Sequence, residues 1–442
     1  MASVAAIVAL AVLVAWTLLH LADTRSESGT NAALPQPAIA VLPFARLHEE
    51  SPVENLSSGM TSELVRTLAN YSSLFVLDPN SLRRFGASPD VTVVGEATGV
   101  GFVLSGSVEH VGQKIRVAVQ VNDARSGGVI WAEAYEREMI VERIFDLQAE
   151  IAQEVVRRIA QPQGAIALFD WKRTRGKAPD TWNAYECVVQ ADEVHRQVSP
   201  TQQLLEVRSC LRRAVEEEPS YGDAWVMHAL IGIDALRFTP KALFARQDIE
   251  VVYNASRRAV ELAPDSGRAH LALMMALYFR GEVELALEAG ENAVRLSPQD
   301  PDILGEVGLR NIIAGDFSAG VALVNRASTL YRQVPLTIRL AHALAALRDG
   351  RYQEASDAIA GEQHGSNFIY WCVVAGLHGR AGQLERAQYA AEQLLNLYPD
   401  FAEWAWAEMN ARNLVPEIKT ALASGWRQVG LQVPMSGPEP RR

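Results

Sequence analysis

At 442 residues the chain is longer than one ordinary hydrophobic core supports, so two or three domains are expected. With 49% hydrophobic and 21% charged residues, most of it is built to fold rather than stay disordered. A formal net charge of −11 without a dense Lys/Arg cluster argues against nucleic acid as the main ligand, and three cysteines with no Cys-x-x-Cys pair exclude a disulfide-dense scaffold or a zinc knuckle.

Val4 to Leu19 is apolar except for Thr17 and continues through His20 to Ala22, close to the roughly 20 residues a helix needs to cross a bilayer. No Lys or Arg precedes the run, and His20-x-Ala22 is a poor cleavage site, which favours an anchor over a cleaved signal peptide. Residues 1–22 are therefore read as a transmembrane helix or signal anchor inserted through residues 4–22, and 23–36 as a polar linker.

Residues 37–162 read as an α/β domain. Ala38 to Phe44 is a buried strand stopped by Pro43, Leu56 to Ala69 has helical spacing, and Leu74 to Leu77 is a second short strand. Gly101–Glu109, Lys114–Asn122 and Val129–Tyr135 form three further strands joined by turn-like segments. Ile115, Val117, Val119 and Val121 alternate with Arg116, Ala118 and Gln120, the period of a sheet with one buried face. Val141 to Ile159 closes the domain as an amphipathic helix, so a mixed sheet is expected. A second linker occupies 163–179.

From 180 to 431 the pattern is helical and repetitive. Gly281, Gly315, Gly350 and Gly382 lie 34, 35 and 32 residues apart, each followed five residues later by a small residue: Ala286, Gly320, Ala355 and Ala387. Pro219, Pro264, Pro298 and Pro399 end the helices that precede the next unit. About six helical hairpins are expected, the one ending at Pro264 carrying an excess near Arg237 to Arg246. A C-terminal helix caps the array, and 432–442 reads as a disordered tail. Trp182, Trp225 and Trp371 are assigned to packing between helices. If Ser199-Pro200 is the first hairpin turn, Cys187 and Cys210 face each other at nearly the same height. They form a disulfide if the compartment is oxidising, or stay two core thiols if it is not; Cys372 stays free.

Two stretches resemble known families. Ile39-Ala-Val-Leu-Pro-Phe44, Gly59-Met-Thr-Ser-Glu-Leu64, Gly101-Phe-Val-Leu-Ser-Gly-Ser-Val108 and Ile130-Trp-Ala-Glu-Ala-Tyr-Glu-Arg137 resemble the TolB amino-terminal-like domain. Ala184-Tyr-Glu-Cys-Val188, Tyr278-Phe-Arg-Gly281 and Gly425-Trp-Arg-Gln-Val-Gly-Leu431 resemble the tetratricopeptide repeats found behind that domain in bacterial cyclase-type and winged-helix regulators. The resemblance implies an all-α tetratricopeptide solenoid after the α/β domain, and an envelope protein of the inner membrane with residues 25–442 in the periplasm. It also implies a concave face made by the first helix of each hairpin. In that register Arg268, Tyr278, Phe279, Arg348 and Arg380 point inward, as a groove for an extended carboxylate-bearing peptide. The competing expectation is that Tyr278 and Phe279 pack against the chain's own α/β module or C-terminal helix.

No phosphate-cradling loop, His-Glu-x-x-His or Gly-x-Ser-x-Gly occurs, and Gly99-Val-Gly101 opens a strand rather than a helix. The histidines are scattered, and Glu216–Glu218 reads as a solvated face. No catalytic, cofactor or metal residue is assigned. The chain reads as a non-enzymatic scaffold or sensory region binding a protein or peptide. The alternatives are the regulatory half of a split adenylate cyclase or winged-helix regulator, and a periplasmic small-ligand sensor.

Overall fold

The computed structural model describes residues 37–46, 56–69, 74–85, 89–111, 113–160, 164–196, 201–237, 246–331, 333–359 and 367–434. The expected membrane helix, the linker at 23–36 and the tail beyond 434 lie outside them. Among the described residues no helix is long and apolar enough to cross a membrane. The chain divides into two compact units at Ile166/Ala167.

Among the described residues the first unit is built on a six-stranded mixed sheet. β1 (Ala38–Val41) lies between β3 (Phe75–Val76) and β4 (Phe102–Val111), parallel to both, and β2 (Ala45–Arg46) runs parallel to β4. β4, β5 (Lys114–Asp123) and β6 (Val129–Glu138) form an antiparallel meander. Every residue of β1 is buried, as expected of a parallel strand covered on both faces. Ala38, Ala40 and Leu42 join Leu82, Val94, Val100 and Val103 in a small core, which leaves Ile39 and Val41 to the opposite face.

Helix α1 (Leu56–Leu68) packs on the helix Ile144–Ile159 and touches β1 and β4. Met60, Leu64 and Leu68 of α1 are fully buried, as are Ile151, Val155 and Ile159 opposite; each such side chain contributes about 1.5–3 kcal/mol. The stretch left unassigned in the sequence holds α2 (Pro79–Leu82) and α3 (Val91–Thr98). Asp90 caps α3 by accepting from the Thr92 N–H, and Gly99 ends it in the left-handed region. The helix expected from Val141 begins at Ile144 as α4, after a 3-10 turn.

Among its described residues the second unit is helical, with no strand. After α5 (Ala165–Thr174) come α6 (Ala184–Arg196) and α7 (Thr201–Glu217), then α8 (Gly222–Arg237) and α9 (Arg246–Leu262). Next follow α10 (Gly267–Arg280), α11 (Val283–Leu296), α12 (Pro301–Ala314) and α13 (Phe317–Leu330). The last are α14 (Leu336–Arg348), α15 (Tyr352–Ala358), α16 (Phe368–Arg380), α17 (Leu384–Leu397), α18 (Phe401–Ala411) and α19 (Pro416–Gln428). From α6 to α17 they pack in consecutive pairs, and the first helix of each pair packs on the first helix of the next. This is a solenoid-like array. The excess expected near Arg237 to Arg246 falls largely outside the described residues.

The four repeat glycines have φ between +73° and +107°, a region open to glycine but strained for other residues. At Gly281 the turn closes with its N–H on the Tyr278 carbonyl and the Glu282 N–H on that of Leu277. A Cβ on Gly320 would stand 2.7 Å from the Gly308 carbonyl oxygen, so the small residue five places on lets α12 and α13 touch by backbone.

α19 does not pair with α18 but packs on α16. A Cβ on Gly425 would lie 2.0 Å from the Gly376 carbonyl oxygen. Trp426, 2% exposed, donates from its indole N–H to the Cys372 carbonyl at 2.7 Å. The fold also runs past the expected boundary at 432, because Val433 is buried and the Pro434 carbonyl accepts from Trp406 and Arg427.

Gly425→Ala is expected to cost about 3 kcal/mol or more, because the added methyl meets backbone that cannot turn aside. Thermal and urea melts check this, and an unchanged midpoint would mean that α19 is not docked on α16.

Candidate functional site

The first helices of the array are mostly apolar, yet α6, α8 and α12 carry charges inside their buried runs. On α6, Asp192 accepts from Arg196 at 2.7 Å and from Arg268 of α10 at 2.6 Å. One turn on, His195 Nδ1 lies 2.6 Å from Asp234 of α8. Arg237, also on α8, donates to Glu306 of α12 at 2.6 Å and to Thr337 of α14 at 3.3 Å. Glu306 also accepts from Arg310 at 3.2 Å. Arg310 lies over the rings of Tyr278 and Phe279, 5.2 and 5.9 Å from their centroids. These contacts form a charged ladder across four consecutive first helices, α6, α8, α10 and α12, and reach Thr337 on α14.

Burial and pairing oppose each other along it. Burial raises the pKa of Asp192, but Arg268 and Arg196 outweigh it and hold the carboxyl below its ordinary range. Glu306 is likewise held low, Arg237 and Arg310 overcoming burial. Burial lowers His195, but Asp234 reverses the sign and the net shift is upward. Where the guanidiniums run short, the carboxyls rise. Asp223 is raised by burial and by Asp192 despite Arg268, and Asp300 is pushed up to about 6 by burial and by Asp302. Asp302 accepts from the Tyr331 hydroxyl. Asp300 caps α12, accepting from the Asp302 and Ile303 N–H groups.

The five residues expected to line one groove do not share one. Arg268 belongs to the ladder. Tyr278 and Phe279 are 1% and 5% exposed, and the Tyr278 hydroxyl donates to the Arg412 carbonyl at 3.2 Å. The pair therefore packs against the C-terminal part of the chain, not into open space. Arg348 pairs with Asp349 at 2.9 Å and lies 4.4 Å from the Phe317 ring centroid, in a groove of about 690 Å³ between α13 and α14. Arg380 donates to Ser424 of α19 and to Tyr352. The 34-residue register gives a position within a repeat; it does not say what covers that position.

Sequence reasoning gave no role to Asp192, His195, Asp234, Arg237, Glu306 or Arg310. The signal was there: Asp234 stands in the run Ala229-Leu-Ile-Gly-Ile-Asp-Ala-Leu236, and Glu306 and Arg310 stand four apart on an otherwise apolar helix. Trp182 and Trp371 are buried, while Trp225 donates from its indole to the Pro219 carbonyl. In the first unit an open groove of about 590 Å³ is lined by Leu42, Ser105, Ala118, Gln120 and Ala134 among others. Among the described residues no group of three His, Cys, Asp or Glu side chains is placed to hold a metal ion.

Cys187 of α6 and Cys210 of α7 are joined by a disulfide, their Cα atoms 5.7 Å apart, and Cys372 is a buried free thiol. Protein kept from reductant and then denatured should titrate one thiol and, after reduction, three; three from the outset would remove the bridge. Closing a loop of this length is worth about 3 kcal/mol, so reduction should lower stability by that order.

A second expectation concerns pH. The Asp300 carboxyl is raised in the folded state, so its contribution is complete below the ordinary value and lost as pH rises through about 6. Asp300→Asn keeps an acceptor for the cap and removes the charge. It should stabilise the protein by about 1–2 kcal/mol near neutral pH and by much less near pH ~4. Urea melts at the two pH values check this; a gain that is the same at both would mean the charge is not responsible.

No protein-family model matches the chain. It is 32% identical over 202 residues to "Putative adenylate cyclase 3" of Rhizobium meliloti (strain 1021), an alignment covering 46% of this chain. The chain spans a third (33%) of that relative's length. Solved structures similar to part of it include lipoprotein GNA1162 from Neisseria meningitidis, at 20% identity and a TM-score of 0.23, covering 28% of this chain and 96% of that one. The PelC dodecamer from Paraburkholderia phytofirmans matches at 18% identity and a TM-score of 0.22, covering 28% and 88%. At such TM-scores these likenesses bear no functional weight.

Proposed function

We propose that this chain is a non-enzymatic interaction region of a bacterial envelope signalling system. In this reading a TolB amino-terminal-like module is followed by a tetratricopeptide array that engages a protein partner. Residues 4–22 attach it to the inner membrane and residues 25–442 lie in the periplasm. The observation that carries the reading is the charged ladder from Asp192 to Arg310, whose Arg268 side chain is 26% exposed and Arg196 20%. Largely buried charges with a few partly exposed guanidiniums, held in fixed geometry, suit specific polar recognition more than they suit stability. The Cys187–Cys210 bridge supports an oxidising compartment.

A second reading has its own support. Part of the chain aligns with the adenylate-cyclase relative, which favours a regulatory region acting on a nucleotide-cyclase output. The array would then pass partner occupancy to that output rather than to a scaffold.

Photo-crosslinking in cells tests both. A crosslinking residue at position 193, beside the ladder, is expected to trap one discrete partner, while one at position 261 on the outer surface of α9 traps none. Capture only from 261, or from neither, overturns the reading. A trapped cyclase, or a change in cyclic AMP when Arg268→Ala cuts the ladder in a protein that still melts normally, selects the second reading over the scaffold.

A further inference from the structure

Helix ends leave carbonyls with acceptor capacity to spare, and in this array three near the ends of first helices are met by one short stretch distant in sequence. Arg412 donates from Nη2 to the Arg237 carbonyl at the end of α8, at 3.1 Å. Asn413 donates from Nδ2 to the Tyr278 carbonyl near the end of α10, at 3.0 Å. The Val415 N–H donates to the Ile313 carbonyl near the end of α12, at 3.0 Å. Three residues of one four-residue stretch thus reach the ends of three successive first helices, and the Tyr278 hydroxyl returns a bond to the Arg412 carbonyl. The Arg412 guanidinium also pairs with Glu408 at 2.5 Å and lies 5.4 Å from the Phe368 ring centroid. Asn413 takes φ 55°, which lets the stretch turn between its contacts. Gly315 lacks the Cβ that would stand 3.1 Å from Val415.

We propose that Arg412–Val415 is a clasp that couples α8, α10 and α12, so that the inner side of the array opens as one unit instead of repeat by repeat. An uncapped array has only nearest-neighbour interfaces, and its local openings are graded along its length. The clasp adds contacts that skip repeats. It is joined to α19, which is docked on α16, so releasing any one of its bonds strains the others. It also covers the ring pair Tyr278–Phe279, making exposure of those rings conditional on release.

Hydrogen exchange on the full chain tests this. In the unmodified protein, peptides covering the carboxyl ends of α8, α10 and α12 should share one opening rate and respond together to added urea. Tyr278→Phe with Asn413→Gly removes the bonds of the Tyr278 hydroxyl and of the Asn413 side chain, keeps the ring and keeps a residue suited to φ 55°. That variant should exchange at least about tenfold faster at all three helix ends, with α4 of the other unit unchanged. Independent, graded rates in the unmodified protein overturn the proposal, as does acceleration confined to residues 409–416 in the variant.

Discussion

A pair of short helices has too little apolar surface to stand alone, and this array depends on covering its first helices from more than one side. The second helices cover one side through alanine and glycine contacts such as Ala286, Ala355 and Ala387, all fully buried. Neighbouring first helices cover the flanks. Near the carboxyl ends the remaining side is met by the C-terminal segment, whose polar contacts match the carbonyls they reach. Nearly the whole of α10 is buried as a result, including Met274, Met275, Tyr278 and Phe279.

The charged ladder is the costly part of this arrangement. Taking a carboxylate and a guanidinium out of water costs several kcal/mol per ion, offset only where geometry is good and further hydrogen bonds are made. Asp192 and Glu306 meet that condition, each held between two arginines. Asp300 and Asp223 do not, and their carboxyls rise. A purely structural interior would carry apolar side chains here at less cost. The unequal pairing, with acids in excess near Arg268, is the feature that sets this face apart from the outer helices, whose ion pairs are exposed and weak, as between Arg257 or Arg258 and Glu261.

The two units solve the same burial problem differently. In the first, β1 is covered on both faces, and α1 meets α4 at Gly59, where a Cβ would stand 2.3 Å from the end of the Gln148 side chain. Gln148 in turn donates to the Leu56 carbonyl at 3.3 Å. In the second, glycine sets both the turns and the close helix contacts.

Much of the architecture was legible from residue order alone. Alternating valines on β5, the proline after β1 and four glycines in phase with small residues act locally, within a few residues of the element they define. α3 was missed because its signals are short: one aspartate cap and one glycine stop around eight residues. The facing of Cys187 and Cys210 followed from counting residues on either side of one turn. The groove did not, because Tyr278 and Arg412 are 134 residues apart and no local pattern links them. Sequence by itself determined the main helices and strands and the turns between repeats, since capping, turn conformation and apolar period are short-range effects. Only the tertiary structure decided which charges meet and which aromatic face is covered, because those depend on segments brought together by packing.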